Sequence, residues 1–133
     1  MKSLLMAVPM MVLPSFLYAQ RFGDTEEQIK AEMSKQTSYK FLDKRDVKGN
    51  LIQLTYISED TSKSFFIDQS KKCIMITILY PLKDLPDVIK INNQMDNTVK
   101  TGDLEWFNHK SNIKIFMKIF KEDQVFQETL IEN

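Results

Sequence analysis

The chain has 133 residues, with 18 basic and 18 acidic side chains and a formal net charge of zero. A chain of this length is expected to form a single domain with one modest hydrophobic core. Nucleic-acid binding needs a net basic surface, so the balanced charge argues against that class of partner. Basic pairs such as Lys44-Arg45 and Lys71-Lys72 have acidic neighbours, and we interpret them as solvated turns.

The first 19 residues have the three parts of a secretory signal peptide. Lys2 is the positive start, an apolar stretch covers residues 4–16, and Ala19 is the small residue before the cleavage point. The apolar stretch is too short to span a bilayer and contains two prolines; a core helix is the alternative interpretation. We therefore expect cleavage after Ala19, export to the periplasm or beyond the cell, and a mature domain over residues 20–133 without a membrane span.

Cys73 is the single cysteine, which excludes an intramolecular disulfide even in an oxidising compartment. Its apolar neighbours predict a buried thiol, and an accessible thiol or an intermolecular bridge is the alternative. The hydrophobic core therefore has to stabilise the fold without a covalent link.

A helix start follows the leader. Asp24 is the predicted N-cap, Glu27 is placed to close a capping box, and the acidic first turn suits the helix dipole. Ile29 and Met33 fall on one side of this helix, which we predict over residues 25–36.

Strand patterns begin near residue 39 and continue to residue 80. Strands are predicted over residues 39–47, 51–58, 64–68 and 73–80. Gly49 and Asn50, between the first two, tolerate the positive φ of a tight turn. The fourth segment is almost entirely apolar and rich in β-branched residues, which predicts a central strand buried on both faces.

A second helix is predicted over residues 85–96, with Asp84 as its cap and Pro86 in its first turn. We expect a loop at 98–102 and strands over 103–108, 113–120 and 124–131. The resulting order is α-β-β-β-β-α-β-β-β. Short turns within each group predict an α+β domain, with helices on one face of a mostly antiparallel sheet.

The two helix starts share a pattern. An aspartate, an acidic residue three positions later and then Ile-Lys occur from Asp24 and recur 60 positions later from Asp84. A capping box followed by an apolar residue is common, so a weak internal duplication and a chance match both stay open. Under the duplication hypothesis the domain divides into segments 20–81 and 82–133.

The predicted core consists of large apolar side chains from both helices and from the strands. These are Ile29, Met33, Phe41, Leu54, Tyr56, Phe66, Ile74, Ile76, Ile78, Ile89, Leu104, Trp106, Ile115, Met117 and Ile119.

The chain lacks the patterns of common active sites. His109 is the single histidine and falls in a polar turn, and one histidine with one buried cysteine does not make the usual zinc site. A Gly-x-Ser-x-Gly elbow and glycine-rich phosphate loops are absent from the sequence. Acidic pairs such as Glu59/Asp60 fall in predicted turns, where carboxylates are usually solvated. We therefore expect no catalytic residue, no cofactor and no metal, with a small carboxylate-dependent hydrolase outside the cytoplasm as the alternative.

Aromatic side chains exceed what one face of a small sheet requires. Phe65-Phe66 and Trp106-Phe107 are adjacent pairs, and in a strand each pair puts one ring on either face. We predict a ligand or partner surface that contains Phe65, Trp106 and Phe107 and binds a protein, a peptide or a glycan. Helices on both faces, or a homodimer, are the alternatives that would cover these rings.

The sequence FGDTEEQI at residues 22–29, after a leader and before antiparallel strands, resembles small exported α+β proteins of Bacteroidetes-type bacteria. More distantly, the chain is similar to the β-lactamase-inhibitor-like group, in which a Gly-x-Thr/Ser-x-Glu helix start precedes a sheet that binds other proteins. The similarity covers residues 20–80 and lacks that group's paired cysteines and second N-terminal helix. It implies an exported, non-catalytic binding module that uses a sheet face or a strand edge, and it transfers no functional residue.

Overall fold

A computed structural model describes residues 22–133, and the predicted signal peptide lies outside the described residues. The described part contains two α-helices, one short 3₁₀ turn and eight strands. In chain order they are α1 (Glu26–Met33), β1 (Lys40–Val47), β2 (Leu51–Ile57), β3 (Ser62–Ile67), β4 (Cys73–Pro81), the 3₁₀ turn (Leu82–Asp84), α2 (Leu85–Gln94), β5 (Thr98–Gly102), β6 (Glu105–Asn108), β7 (Ile113–Phe120) and β8 (Val125–Glu132).

All eight strands form one sheet in the order β1-β2-β3-β4-β8-β7-β6-β5. Every neighbouring pair is antiparallel, which confirms the predicted α+β class and antiparallel sheet. β4 and β8 pair with each other in the middle, and β1 and β5 are the edges. Each half of the sheet is thus a helix followed by four strands, and the halves meet at the two central strands.

The predicted order was short by one strand. Residues 98–102, expected to be a loop, form β5, which pairs with β6 from Thr98 opposite Asn108 to Gly102 opposite Glu105. Val99 is the one large apolar residue of β5 and is 51% exposed. The segment therefore lacks the alternation of apolar and polar residues that predicts a strand. Backbone pairing with β6, and not burial, defines this edge strand.

The helix starts differ from the prediction in their caps. The N-cap of α1 is Thr25, one residue after the predicted Asp24, and its hydroxyl accepts a hydrogen bond from the Gln28 backbone N–H at 3.3 Å. The Gln28 side chain completes the capping box by accepting from the Thr25 N–H at 2.8 Å. The Asp24 carbonyl instead accepts from the Cys73 N–H at 2.8 Å, which attaches the helix start to β4. Asp84 does precede α2, but its side chain makes no capping hydrogen bond.

Both helices pack on the same face of the sheet, which we call the closed face. Ile29 and Met33 of α1 and Val88 of α2 join one buried cluster with the closed-face residues of the strands. Lys44 on β1 also forms an ion pair with Glu26 of α1, with 3.1 Å between nitrogen and oxygen. The largest side chains with less than 2% exposure are Trp106, Phe65, Phe126, Ile29, Leu54, Ile76, Ile78 and Ile115.

Four predicted core residues lie outside this cluster. Phe41 is 49% exposed on the edge strand β1, and Ile119 is 37% exposed. Phe66 points to the opposite face, and Phe65 takes the core position opposite Ile76. Ile74 is the extra residue of an irregularity in the β3–β4 pairing, because Met75 and Cys73 are paired on either side of it. A bulge of this kind shifts the alternation by one residue, which the sequence pattern does not reveal.

Candidate functional site

The face of the sheet opposite α1 and α2, which we call the open face, is not covered by any described element. Its strands form the floor of an open depression of about 590 Å³. Residues from β1 to β4, β7 and β8 line it, so it crosses the junction between the two halves. A concave region of this size makes the open face the candidate binding surface.

The central strand β4 contributes to both faces. Ile76 and Ile78 are fully buried on the closed face, whereas Met75 and Thr77 are half-buried and Leu79 is 36% exposed. The central position predicted for this strand is confirmed. The expected burial on both faces is wrong, because both helices pack on one side and leave the other side of β4 as the floor of the depression.

Four hydroxyl side chains form a line across this floor. Thr55, Ser64, Thr77 and Thr129 stand in register on β2, β3, β4 and β8, and we call them the hydroxyl row. Adjacent strands lie about 4.8 Å apart, so the row extends over roughly 14 Å. Ser64 and Thr129 are only 7% and 5% exposed, which places them at the bottom of the depression.

A glutamine from each half orders the hydroxyl row. Gln53 Nε2 donates to Ser64 Oγ at 3.0 Å, and Ser64 Oγ lies 3.0 Å from Thr55 Oγ1. Gln127 Nε2 donates to Thr129 Oγ1 at 3.4 Å. Each hydroxyl can donate one hydrogen bond and accept others, so capacity is left for a ligand. The floor is therefore polar and uncharged, and its Thr55, Ser64 and Thr129 hydroxyls are already hydrogen-bonded.

Apolar side chains border the hydroxyl row. Phe66 and Met75 are paired on one side of it, Leu79 lies on the other side, and Phe116 pairs with Thr129 at the end of the row. Beyond Phe116 the second half changes character. Lys114 lies 5.6 Å from the centroid of the Phe116 ring, and the matching distance from Lys118 to the Phe120 ring is 5.4 Å.

The structure changes the predicted aromatic surface. Phe65 and Trp106 are each 1% exposed in the core, so they are not available to a partner. The Phe65 ring packs edge-on against Tyr56, and Trp106 Nε1 donates to Asn93 Oδ1 at 2.9 Å. Phe107 lies on the open face, partly exposed, next to the depression rather than among its lining residues.

The aromatic residue that the sequence reasoning missed is Phe66. In each adjacent pair the rings do lie on opposite faces, as strand geometry requires. Ser62 and Ser64 lie on the same side of β3 as Phe66, because side chains alternate along a strand. These two serines are the sequence signal that marks the open face. Lys63 obscures that signal, because it lies on the same side of the strand as Phe65. Although it is a charged residue, it is only 4% exposed.

Two ionisable groups lie in the closed face, on either side of Ile78. Lys63 is paired with Ile78 on one strand, and Glu128 is paired with it on the other. Burial lowers the pKa of Lys63 to about 8 and raises the pKa of Glu128, so each group is driven toward its neutral form. The Lys63 nitrogen lies 4.5 Å from the centroid of the Tyr39 ring.

Glu128 connects β8 to α2. Its carboxyl accepts a hydrogen bond from Asn92 Nδ2 at 2.9 Å and one from the Tyr80 hydroxyl at 3.3 Å. Asn92 Oδ1 is buried and accepts no hydrogen bond within the described residues. A cavity of about 10 Å³ beside it is the size of one water molecule. We interpret this cluster as a polar link within the core, since it does not reach the open face.

The remaining candidates for chemistry are separate from the depression. Cys73 is fully buried, as predicted, and burial raises the pKa of its thiol to about 12. His109 is exposed in the turn after β6. Among residues 22–133, no three His, Cys, Asp or Glu side chains are grouped so that they could hold a metal ion. Over the same residues, no helix has the length and apolar character needed to cross a membrane.

The acidic residues are not paired in the depression. Asp43 is the single carboxylate among its described lining residues, and its Oδ2 accepts a hydrogen bond from Arg45. Glu59 and Asp60 are exposed and line a different hollow of about 290 Å³ beside the turn between β2 and β3.

No family model matches the chain, and no curated protein or solved structure is significantly similar to it. The geometry of the open face therefore has to guide the assignment of function.

Proposed function

We propose that this chain is an exported, non-catalytic binding module whose ligand lies in the depression of the open face. The observation that carries the proposal is the ordered hydroxyl row bordered by apolar side chains at the bottom of a 590 Å³ hollow. Ligand sites typically combine apolar walls with a few polar groups in defined positions. The helices already stabilise the closed face, so the open face is free to serve recognition.

The sheet face is favoured over a strand edge as the binding element. Five of the eight residues of the edge strand β1 are charged: Lys40, Asp43, Lys44, Arg45 and Asp46. Charged side chains on an edge strand discourage the addition of another strand. The opposite edge, β5, has only five residues.

Export is supported by the sequence of the leader and by the resemblance to exported α+β proteins. The test is to express the full chain in a bacterium whose envelope fractions can be separated, and to determine the N-terminal residue of the recovered protein. We expect the exported form to begin at Gln20. Full-length protein confined to the cytoplasm would contradict this part of the proposal.

The repeated element order supports the related hypothesis of an internal duplication. Ser64 pairs with Thr77, and 52 positions further along Phe116 pairs with Thr129. Equivalent positions thus differ chemically on the open face while the pairing is the same. No observation favours the alternative of a carboxylate-dependent hydrolase, since that mechanism needs two carboxyl groups at one site.

Blocking the depression tests the binding proposal. In Thr77→Arg, a long charged side chain on the floor should abolish ligand binding, and the matched control Thr101→Arg, on β5 outside the lining residues, should leave binding unchanged. Binding is measured by amide chemical-shift changes on titration with neutral oligosaccharides and with capped hexapeptides. We expect the shifts on β3, β4 and β8. Shifts restricted to the helical side, or binding that survives Thr77→Arg in a folded protein, would refute the site.

A further inference from the structure

We propose that the ligand of the open face is a neutral oligosaccharide. This inference rests on the proposed function and adds the chemical class of the ligand. Three properties of the depression support it: its charge, its hydrogen-bonding groups and the spacing of those groups.

The charged residues that line the depression have a net charge of zero. Asp43 and Arg45 are its charged residues among the described lining positions, and they are hydrogen-bonded to each other. Lys114 and Lys118 belong to the neighbouring part of β7 and are absent from the lining. A charged ligand would lose hydration on entering the hollow and would have to compete with the Asp43–Arg45 pair for a group of opposite sign. An uncharged ligand avoids that cost.

The polar groups of the floor suit a ligand that both donates and accepts hydrogen bonds. Hydroxyl and carboxamide side chains each have both capacities, and so do the hydroxyls of a sugar. Gln53 and Gln127 hold Ser64 and Thr129 in place before a ligand arrives. This order reduces the entropy that the protein loses on binding.

The spacing of the hydroxyl row matches a repeating polymer. One hydroxyl occurs on each strand, about every 4.8 Å, which is comparable to the length of one sugar unit in an extended chain. A short oligosaccharide lying across the strands would meet the half-buried Thr55 and Thr77 directly, and the more deeply buried Ser64 and Thr129 lie in the same row. The rings of Phe66 and Phe116 border the row and offer apolar surface to the C–H faces of the sugars.

An extended peptide fits these features less well. Peptides that bind sheets usually add a strand and gain affinity from free backbone groups at an edge. On the floor of the depression, the backbones of β3, β4 and β8 are already paired with neighbours on both sides. A peptide on this face would depend on side-chain contacts alone.

The test is calorimetric titration of the domain of residues 20–133 with cellohexaose, maltohexaose and chitohexaose, and with hexagalacturonate as an anionic counterpart. We expect at least one neutral hexasaccharide to bind more tightly than hexagalacturonate. Thr77→Val and Thr129→Val keep the side-chain shape and remove one hydroxyl, so each should weaken binding about threefold to tenfold. The control Thr101→Val, outside the depression, should bind as the wild type does.

Several results would overturn the inference. They are no binding of any neutral hexasaccharide, stronger binding of hexagalacturonate, or affinities unchanged in both valine variants. Capped hexapeptides titrated in parallel separate this failure from failure of the proposed function. If a hexapeptide binds and Thr77→Arg abolishes that binding, the oligosaccharide inference fails and the binding site stands. If neither class binds at the open face, both fail.

Discussion

The closed face and the open face are formed by the same eight strands, but the side chains on the two faces differ in burial and polarity. On the closed face, large apolar residues pack against two helices and are at most 8% exposed within the core cluster. On the open face, hydroxyls, amides, rings and lysines alternate with partly covered apolar residues. The contrast indicates that buried apolar contacts are concentrated on one face, which leaves the side chains of the other face less constrained by packing.

The two halves of the sheet also differ in the side chains that they place on the open face. Both halves contribute to the polar floor, the first through Gln53, Thr55 and Ser64 and the second through Gln127 and Thr129. In addition, β7 in the second half carries Phe116 and Phe120 with lysines beside their rings. On the closed face both halves are mostly apolar, with Lys63 and Glu128 as the buried ionisable exceptions. The two halves differ most where packing does not constrain them.

The strongest test of this contrast compares adjacent residues of β4. Ile76 is fully buried between Phe65 and Leu130, so Ile76→Asp puts an unpaired carboxylate into the core. The cost of several kcal/mol is comparable to the whole stability of a small domain, about 5–15 kcal/mol. We expect Ile76→Asp to be unfolded and Thr77→Asp to melt cooperatively, as followed by circular dichroism. Cooperative melting of Ile76→Asp at the wild-type temperature would contradict the assignment of the faces.

Trp106 and Phe107, adjacent residues of β6, test the contrast between the closed and open faces in the second half of the sheet. Trp106 is 1% exposed, and Trp106→Ala should lower the free energy of unfolding by about 3–5 kcal/mol. Phe107 is partly exposed on the open face, and Phe107→Ala should cost about 1 kcal/mol or less. Urea denaturation measures both values. Equal losses would mean that β6 is not buried on one face only.

Lys63 is an exception within the closed face, because it is a buried cation. Its pKa of about 8 lies below the value of about 10.4 in an unfolded chain, so the unfolded state binds more protons between these values and wild-type stability rises with pH across that window. Lys63→Met removes this titration, so its stability relative to the wild type should be highest near pH 7 to 8. The difference should shrink as pH increases from about 8 to 10. An advantage for the variant that is independent of pH would disprove the explanation.

Glu128 is the acidic counterpart in the second half. Burial raises its pKa, so the folded state holds the proton more tightly and wild-type stability should fall as pH rises above the unfolded value near 4.5. Glu128→Gln keeps a carbonyl for the Asn92 hydrogen bond without a charge. We expect the variant to gain stability relative to the wild type as pH rises from 4 to 8. Parallel pH profiles of thermal unfolding for the two proteins would refute this.

The smallest effect is expected at the lysines of the open face. Lys114 and Lys118 are exposed beside aromatic rings, and such contacts contribute about 0.5–1 kcal/mol or less. Lys114→Ala and Lys118→Ala should therefore change the denaturation midpoint only slightly, and the change should be smaller at high salt. A loss above 2 kcal/mol would mean that this part of the open face also stabilises the fold.

Much of the fold was predictable from local patterns. Seven of the eight strands and both helices were expected close to their observed positions, and Gly49 and Asn50 take the positive φ expected of the turn. The candidate site was less predictable. Of the three aromatic residues proposed for the surface, only Phe107 is on the open face, and the hydroxyl row was not anticipated.

The sequence by itself determined the class of elements, the central place of β4 and the burial of Cys73, because alternation, caps and turn residues act over a few neighbouring positions. Only the tertiary structure decided which face each residue occupies. That choice depends on both helices packing on the same side, and on a bulge at Ile74 that shifts the parity of β4. The tertiary structure also brings Thr55 and Thr129, 74 positions apart in the chain, into one row of hydroxyls. A one-residue shift of register between the strands would have removed that row.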